Sequence, residues 1–364
     1  MKNNTISCHQ AGVIAGIMML VLKLTSLPSL MYSCSEIGGV ISIFLMCVFS
    51  IIILALVLWL KNKYNNMNFF DILSKFLTKI GAKIVYFVLF AFFIFKILAL
   101  VDDGFGFVRD VVDEEFTYLN FIICFFPVAI ALAYSGIRNL SRTTEFFYPF
   151  VLIGVFIAIV FSFAPLNFFG LGSFSRLNFD CVARVVSRLS FWNGDLFAIL
   201  IFIDKMDLKK GKIINIFSPV IMVTLFLVVG YSMYFSLYQQ TATLHVNMIF
   251  DIVEYSVGTS SGWHMDIFAI LVYMVCLFLQ GAIYIYASMQ SAQRVFGFNN
   301  KKIIIAGIVL LVVIVQFLYL NDYLKYVVFA QKYLSIFSTM LIIALPILII
   351  FACLKGGKCE RNLQ

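Results

Sequence analysis

The sequence predicts an all-α polytopic membrane protein with ten transmembrane helices, and three observations support this fold class. Of the 364 residues, 63% are hydrophobic and 12% are charged, whereas a soluble domain is nearer half apolar and a quarter charged. Ten apolar segments recur along the chain, most of them close to the roughly twenty residues that a helix needs to cross a bilayer. Most Lys and Arg residues fall in alternate connections between these segments, so the net charge of +8 is interpreted as a topology signal and not as nucleic-acid binding.

The boundaries of the ten spans follow from the apolar runs and the charges between them. The first run lacks a small-residue cleavage site, so we expect a retained span and not a signal peptide. Because the Lys- and Arg-rich connections alternate along the chain, both termini are expected on the cytoplasmic side. The predicted spans are residues 9–32, 37–60, 83–103, 119–136, 145–165, 190–204, 213–237, 263–290, 302–320 and 333–354.

Two connections predict short amphipathic helices that lie in the membrane interface. Residues 67–80 follow the second span on the inner side, and residues 244–257 follow the seventh span on the outer side. An odd number of spans in each half inverts the second copy relative to the first. We therefore predict a single membrane domain, 1–364, made of two inverted five-span repeats at about 9–165 and 190–354.

The sixth span is the most unusual of the ten. Its apolar stretch offers only about fifteen residues, which is too short for a straight crossing. Near its start it carries Trp192-Asn193-Gly194-Asp195, in which an Asn-Gly pair weakens the helix and a carboxylate follows. A short, Gly-interrupted span indicates a broken helix beside a transporter binding site, and an acid inside a membrane usually marks such a site.

Lys23 in the first span is a candidate partner for Asp195. Both residues are predicted in the outer half of the membrane, where an ion pair would offset part of each burial cost. Thr25 and Ser26 supply hydroxyls that can satisfy backbone groups near Pro28 or bind a ligand. The alternatives are a Lys23 side chain that snorkels to the interface and an Asp195 solvated at the helix mouth. If the two residues pair, exchanging their charges should partly rescue the single variants.

Three further polar residues lie inside predicted spans. Lys96, near the middle of the third span, needs a partner that the sequence does not identify. Gln280 and Tyr284 stand four residues apart in the eighth span and so share one helix face. They either line a cavity or form a polar seam between helices.

An acidic group follows the third span and is expected in the outer loop. A solvated face is the favoured interpretation, and a mouth that attracts cations is the alternative. Its members are Asp102, Asp103, Asp110, Asp113, Glu114 and Glu115.

The sequence motifs do not support an enzyme. The chain has no GxSxG, P-loop or HExxH sequence, and we expect no catalytic residues, no metal site and no cofactor. Of the eight cysteines, only Cys34 and Cys181 fall in predicted outer segments, so a disulfide, if one forms, is expected between these two.

Three motifs, together with the length and the loop charges, resemble those of the spore germination permeases. The first is Ser7-Cys8-His9-Gln10 ahead of a span that ends in Leu27-Pro28. The second is Gly136-Ile-Arg-Asn-Leu-Ser-Arg142 with Pro149 beyond it, and the third is Gly194-Asp195 leading to Lys209-Lys210. The resemblance runs from about residue 6 to residue 353. This family comprises the B subunits of endospore germinant receptors, within the amino acid–polyamine–organocation superfamily.

The resemblance implies a LeuT-like 5+5 inverted repeat in which broken helices 1 and 6 surround a small-molecule site. It also implies a place in the spore inner membrane, with an A-type subunit and a C-type lipoprotein subunit as partners, and a germinant that is often an amino acid. Two departures affect the site. Val21-Leu-Lys23-Leu stands where the family usually has a Gly-rich segment, and Asp195 stands where it usually has Glu.

The predicted function is a germinant-receptor subunit that binds a small molecule, an amino acid being expected, and triggers germination. A proton- or cation-coupled amino-acid transporter is the alternative, because it needs the same fold and site. A structural subunit with a vestigial site is the third interpretation. The predicted ligand-binding residues are Lys23, Leu24, Thr25, Ser26, Lys96, Trp192, Asn193, Gly194, Asp195, Gln280 and Tyr284.

Overall fold

A computed structural model describes residues 5–25, 27–31, 36–64, 67–161, 178–208, 213–245, 247–257, 265–298, 300–319 and 329–359. Within these residues the regular structure is helical, apart from one isolated β-bridge between Ile6 and Met206. The α-helices are α1 Cys8–Leu20, α2 Leu27–Met31, α3 Glu36–Lys63, α4 Phe69–Phe76, α5 Lys79–Val111, α6 Tyr118–Tyr134, α7 Ile137–Phe161, α8 Phe179–Arg188, α9 Ala198–Ile201, α10 Ile214–Tyr238, α11 Met248–Val257, α12 Met265–Phe296, α13 Lys301–Tyr319 and α14 Ser335–Cys359.

The chain is an integral membrane protein. Six helices of the described residues are long and apolar enough to cross a bilayer, and they coincide with predicted spans 2, 3, 5, 7, 8 and 10. Two shorter apolar helices, Cys8–Lys23 and Tyr118–Tyr134, overlap predicted spans 1 and 4, and each begins one residue before its span. The apolar runs of the sequence therefore predicted these membrane helices correctly.

The helix α1 lies at the centre of the protein. All but two of its residues are buried, and it packs against α10 and α7, while α12 packs against α5, α6 and α7. Its contact with α10 is close at Gly12, where a Cβ atom would lie 2.5 Å from the carbonyl oxygen of Ile216. Because only glycine fits there, the two helix backbones approach near the start of α1.

The helix at the third predicted span is longer than the predicted residues 83–103. This helix, α5, continues to Val111, and Asp102 and Asp103 lie within it with exposures of 3% and 5%. The prediction of a solvated loop is therefore wrong for these two acids. The helix continues because apolar residues recur after the two acids, with Phe107 and Val108 buried, and because α5 packs against α6, α12 and α13. Only the residues beyond Val112 form the connection, where Asp113, Glu114 and Glu115 are exposed.

The predicted interfacial segments contain the helices α4 and α11. In α4, Phe69, Ile72 and Leu73 form the buried face. The predicted segment 67–80 is divided between two helices, because Thr78 caps the next helix and Ile80 lies 72% exposed at the start of α5. The hydroxyl of Thr78 accepts a hydrogen bond from the Gly81 amide and so fixes that boundary.

We expect Asp251 in α11 to make the stability of the protein pH-dependent. Burial is the main cause that raises the pKa of its carboxyl to about 7, and Glu254 raises it further. Nδ1 of His245 lies 4.0 Å away and is too distant to hydrogen-bond it. Since the folded state then binds the proton more tightly than the unfolded state, this contribution is full below about pH 4 and is lost as pH rises to about 7.

Thermal unfolding of purified protein between pH 4.5 and 7.5 measures this effect. The melting temperature of Asp251→Asn should depend less on pH than that of the wild type, with the largest gain near pH 7.5. An identical pH dependence in the two proteins would contradict it.

Candidate functional site

Residues 190–205 form short helical pieces and not one continuous α-helix. A 3₁₀ turn at Ser190–Trp192 is followed by extended Asn193, a second 3₁₀ turn at Asp195–Phe197 and the four-residue helix α9. Gly194 joins the two turns with φ of 81° and ψ of 5°. This left-handed conformation costs little for glycine alone, so the Asn-Gly pair sets the point where the chain changes direction and presents Asp195.

Replacing Gly194 with alanine should therefore destabilise the protein by about 1–2 kcal/mol, the cost of a left-handed L-residue. A Cβ atom there would also lie 3.1 Å from the Phe197 ring. Gly106→Ala is the matched control, because its Cβ would meet nothing within 4 Å and alanine is the better helix former in α5. Thermal unfolding should show a lower melting temperature for Gly194→Ala only.

The chain after α1 also leaves the α-helical path. A 3₁₀ turn at Val21–Lys23 ends in Leu24, and the hydroxyl of Tyr231 donates a 2.7 Å hydrogen bond to the Lys23 carbonyl. The helix α2 then begins at Leu27, with Pro28 in its first turn, where a missing backbone N–H costs little. This change of path lies beside the one at Gly194, and it carries Lys23 towards Asp195.

Asp195 is the centre of a buried charge cluster. Its Oδ2 lies 3.1 Å from the Lys23 ammonium, and its Oδ1 lies 2.6 Å from the ammonium of Lys96. The three side chains are at most 1% exposed. The predicted pair between Lys23 and Asp195 is confirmed, and the partner of Lys96, which the sequence left open, is the same carboxylate.

Two further side chains complete the hydrogen bonding around Asp195. The hydroxyl of Tyr284 donates to Oδ1 at 2.7 Å. The amide of Gln280 donates to the Tyr284 oxygen at 2.6 Å and to the carbonyl of Met18 in α1 at 3.1 Å. The shared face of Gln280 and Tyr284 is thus turned towards the charge cluster, which links α12 to α1 and to residues 190–205.

Aromatic rings surround the ammonium of Lys96. It lies 4.9 Å from the ring centroid of Phe191 and 5.5 Å from that of Phe92, distances typical of cation–π contacts. The sequence did not point to these rings, because phenylalanine is abundant throughout the apolar segments. The spacing of Phe92 four residues before Lys96 in one helix could have indicated the first contact, whereas the packing of α5 against the Ser190–Trp192 turn is needed to bring Phe191 to Lys96.

Four of the remaining predicted residues are described by the structure, and they are Leu24, Thr25, Trp192 and Asn193. Asn193 accepts a 2.8 Å hydrogen bond from Ser50 in α3. Thr25 donates to Asp103 at 3.3 Å, a partner that the sequence analysis missed because it placed Asp103 in a loop. Leu24 and Trp192 are buried and apolar. Ser26 lies outside the described residues.

Only one of the two cysteines of the expected disulfide lies in the part of the chain that the structure describes. Cys181, in α8, is disulfide-bonded in the structure. Its predicted partner, Cys34, lies outside the described residues.

The fold is similar to that of known membrane transporters. A Na⁺-coupled sialic acid symporter in its substrate-bound outward-open state matches with a TM-score of 0.60 and 13% identity, over 96% of this chain and 78% of that one. A mutant of the Eremococcus coleocola manganese transporter matches with a TM-score of 0.51 and 13% identity, over 95% of this chain and 78% of that one. These likenesses define the class as an all-helical membrane protein with a transporter fold.

The sequence gives the family directly. Residues 5–324 match the family model described as spore germination protein, so the chain belongs to the spore germination permease family. The family that the motifs resemble is thereby confirmed. No curated protein sequence matches the chain.

Proposed function

We propose that this chain is the membrane subunit of a nutrient germinant receptor and that its ligand, an amino acid, binds at the charge cluster around Asp195. The observation that carries this proposal is the presence of two ammonium groups on one carboxylate in a fully buried position. Burying an uncompensated charge is costly, and such residues inside a membrane are typical of binding sites. The excess positive charge suits a ligand that carries a carboxylate.

The cluster offers complementary groups to both ends of an amino acid. The ligand carboxylate would take over one ammonium, from Lys23 or Lys96, and the ligand ammonium would share Asp195 with the other. The hydroxyl of Tyr284 would remain free to donate to either carboxylate. Carbonyl groups at the interruption after α1 would accept hydrogen bonds from the ligand ammonium.

Ligand binding would act by shifting an existing equilibrium. The described conformation has a closed site, in which Lys23, Lys96 and Asp195 satisfy one another. A ligand that separates these groups favours an arrangement in which the segments after α1 and around Gly194 move apart. The size of the shift depends on the difference in affinity between the two arrangements.

The finer architecture is part of the proposal. We infer ten membrane spans in a LeuT-like 5+5 inverted repeat, at about 9–165 and 190–354, with spans 1 and 6 discontinuous. The positions of α4 after α3 and of α11 after α10 support the repeat. Both termini would be cytoplasmic. The protein would reside in the spore inner membrane with an A-type subunit and a C-type lipoprotein subunit.

The alternative function is amino-acid transport coupled to a proton or cation. The transporter fold favours it, and the same residues would serve as the site, with Lys23, Lys96 or Asp195 titrating during the cycle. A subunit that keeps only a vestigial site is the remaining alternative.

Two measurements made together test the proposal. One is germination of a strain deleted for this gene, complemented by the wild type or by Lys23→Met. The other is uptake of labelled L-amino acids by vesicles containing the purified protein. We expect loss of a nutrient response in the deletion strain, restoration by the wild type alone, and no concentrative uptake. Strong concentrative uptake with normal germination would establish the transporter instead.

A further inference from the structure

A large apolar groove lies between α3, α8 and α14, apart from the charge cluster around Asp195. Its volume is about 670 Å³, within the range of roughly 300–1,000 Å³ that is typical of small-molecule sites. The exposed side chains of Leu45, Ile52 and Phe179 stand along its edge. Because α3 is one of the helices long and apolar enough to cross the membrane, this apolar edge indicates that the groove opens to lipid and not to water. Other lining residues are Phe49, Val182, Val186 and Ile342.

Four polar residues also line the groove, and each already has a hydrogen-bond partner within the protein. The hydroxyl of Ser190 lies 2.6 Å from that of Thr339. Asn193 accepts a hydrogen bond from Ser50 at 2.8 Å, and Ser187 donates to a backbone carbonyl of its own helix at 2.9 Å. Since these groups are satisfied without a ligand, the groove surface favours an apolar occupant.

The length of the groove matches one leaflet of a bilayer. It runs along α8, from Phe179 at the start of this helix to Ser190 and Asn193 beyond its end. The 10 residues of α8 span roughly 15 Å, and half of the hydrocarbon core of a bilayer is also about 15 Å thick. An acyl chain of a lipid in one leaflet therefore has the right length to lie along it.

Two arginines of α8 stand beside the groove. Arg184 and Arg188 are four residues apart and directly follow the lining residues Ala183 and Ser187, so they form the adjacent ridge of the helix. Both are exposed, and neither makes a salt bridge with any residue that the structure describes. Arg184 donates from Nε to the carbonyl of Asp180, which leaves its terminal nitrogen atoms to bind an anion.

We propose that the groove binds one acyl chain of an anionic phospholipid from the bilayer and that the lipid phosphate contacts Arg184 and Arg188. A lipid tail is as apolar in the bilayer as in the groove, so packing of the tail fixes its position but selects no particular lipid. Selection comes from the headgroup, because guanidinium groups bind phosphate through paired, charge-assisted hydrogen bonds. A zwitterionic lipid carries its own compensating cation and binds the two arginines less well.

The groove lies close to the interruption at Gly194. A Cβ atom on Gly194 would lie 3.4 Å from the side chain of Ile342, which lines the groove. A tail between α3 and α8 would oppose movement of the segment that leads into Gly194. Lipid binding therefore has a direct contact route to the charge cluster, although it does not itself depend on the proposed function.

Photolabelling of the purified full-length protein in nanodiscs tests this proposal directly. Phosphatidylglycerol and phosphatidylcholine probes carry the same diazirine in one acyl chain, and labelled peptides are identified by mass spectrometry. Phosphatidylglycerol should label the groove peptides of α3 and α8 about fivefold or more above phosphatidylcholine, since each basic side chain near a membrane surface attracts anionic lipid. Peptides around Ile123 of α6, an exposed position outside the groove, should show no such preference.

Three variants separate the headgroup from the tail. Arg184→Gln combined with Arg188→Gln should reduce the preference at the groove to that at Ile123, while Arg109→Gln, an exposed arginine of α5, should leave it unchanged. Ala183→Trp keeps both arginines and places a large side chain in the groove from an exposed position. It should lower labelling of the groove by both probes without changing the labelling around Ile123.

Equal labelling of the groove by the two probes would overturn the proposal. A preference for phosphatidylglycerol that persists in the double arginine variant, or that is equally large at Ile123, would also overturn it, because the selection would then be a general surface effect. Groove peptides that remain unlabelled while Ile123 is labelled would show that another part of the chain, and not lipid, covers the groove.

Discussion

Replacing Asp195 with alanine is expected to destabilise the folded protein by about 3–5 kcal/mol, the range for removing one partner of a buried ion pair. The change leaves the ammonium groups of Lys23 and Lys96 buried beside each other without a counter-ion. It also removes the acceptor of the Tyr284 hydroxyl. Thermal unfolding in nanodiscs should show either a large fall in melting temperature or no folded protein, and spores carrying this variant should lose the nutrient response.

Asp110→Ala is the matched control for this prediction. Asp110 also contacts a basic side chain, that of Arg109 at 3.3 Å, but both are more than 40% exposed. Exposed pairs contribute about 0–1 kcal/mol because water screens them, so this variant should melt close to the wild type. If Asp195→Ala and Asp110→Ala proved equally stable, the buried cluster would not have the energetic role assigned to it.

Replacing either lysine should lower ligand affinity without lowering the stability of the folded protein, unlike Asp195→Ala. In Lys23→Met or Lys96→Met, the other ammonium remains on Asp195, and the cluster becomes a neutral pair. The folded protein should therefore be as stable as the wild type or more stable, while ligand affinity should fall by about 2 kcal/mol or more, roughly thirtyfold. Stability and binding then separate in the same two variants, and a structural role alone would not produce this result.

A double-mutant cycle on Lys23 and Asp195 quantifies the coupling between them. The destabilisation of the double variant should differ from the sum of the single changes by about 0.5–3 kcal/mol, as is found for residues in one ionic network. The charge exchange Lys23→Asp with Asp195→Lys should restore part of the stability lost in Asp195→Ala. Additive effects and no rescue would show that the observed contact is energetically unimportant.

The sequence identified Lys23 and Asp195 because charged residues stand out in apolar segments and are costly there. It did not identify Asp195 as the partner of Lys96. The direction in which Lys96 points depends on how α5 packs against α12, and the position of Asp195 depends on the turn at Gly194. Gln280 and Tyr284 were recognisable by their spacing, but whether that face met a cavity or another helix was open. Such contacts depend on how helices pack, which local patterns in one sequence do not specify.

The ends of the helices were less predictable than their existence. The predicted third span ends at residue 103, with Asp102 and Asp103 assigned to the loop after it, yet α5 extends to Val111. Burial of a carboxylate requires partners such as Thr25 and Gln316 from distant parts of the chain, and local hydropathy does not report them. The two inverted repeats and the ligand-binding roles of the site residues remain predictions.

Direct binding of amino acids tests the central claim most closely. Protein in nanodiscs is incubated with each tritiated L-amino acid in turn, and bound label is measured by scintillation proximity for the wild type, Lys23→Met and the exposed control Arg109→Gln. We expect saturable binding of at least one amino acid to the wild type and to Arg109→Gln, and a loss of at least thirtyfold in affinity for Lys23→Met. Binding that is equally tight in Lys23→Met, or no binding of any amino acid to the wild type, would contradict a ligand site at Lys23, Lys96 and Asp195.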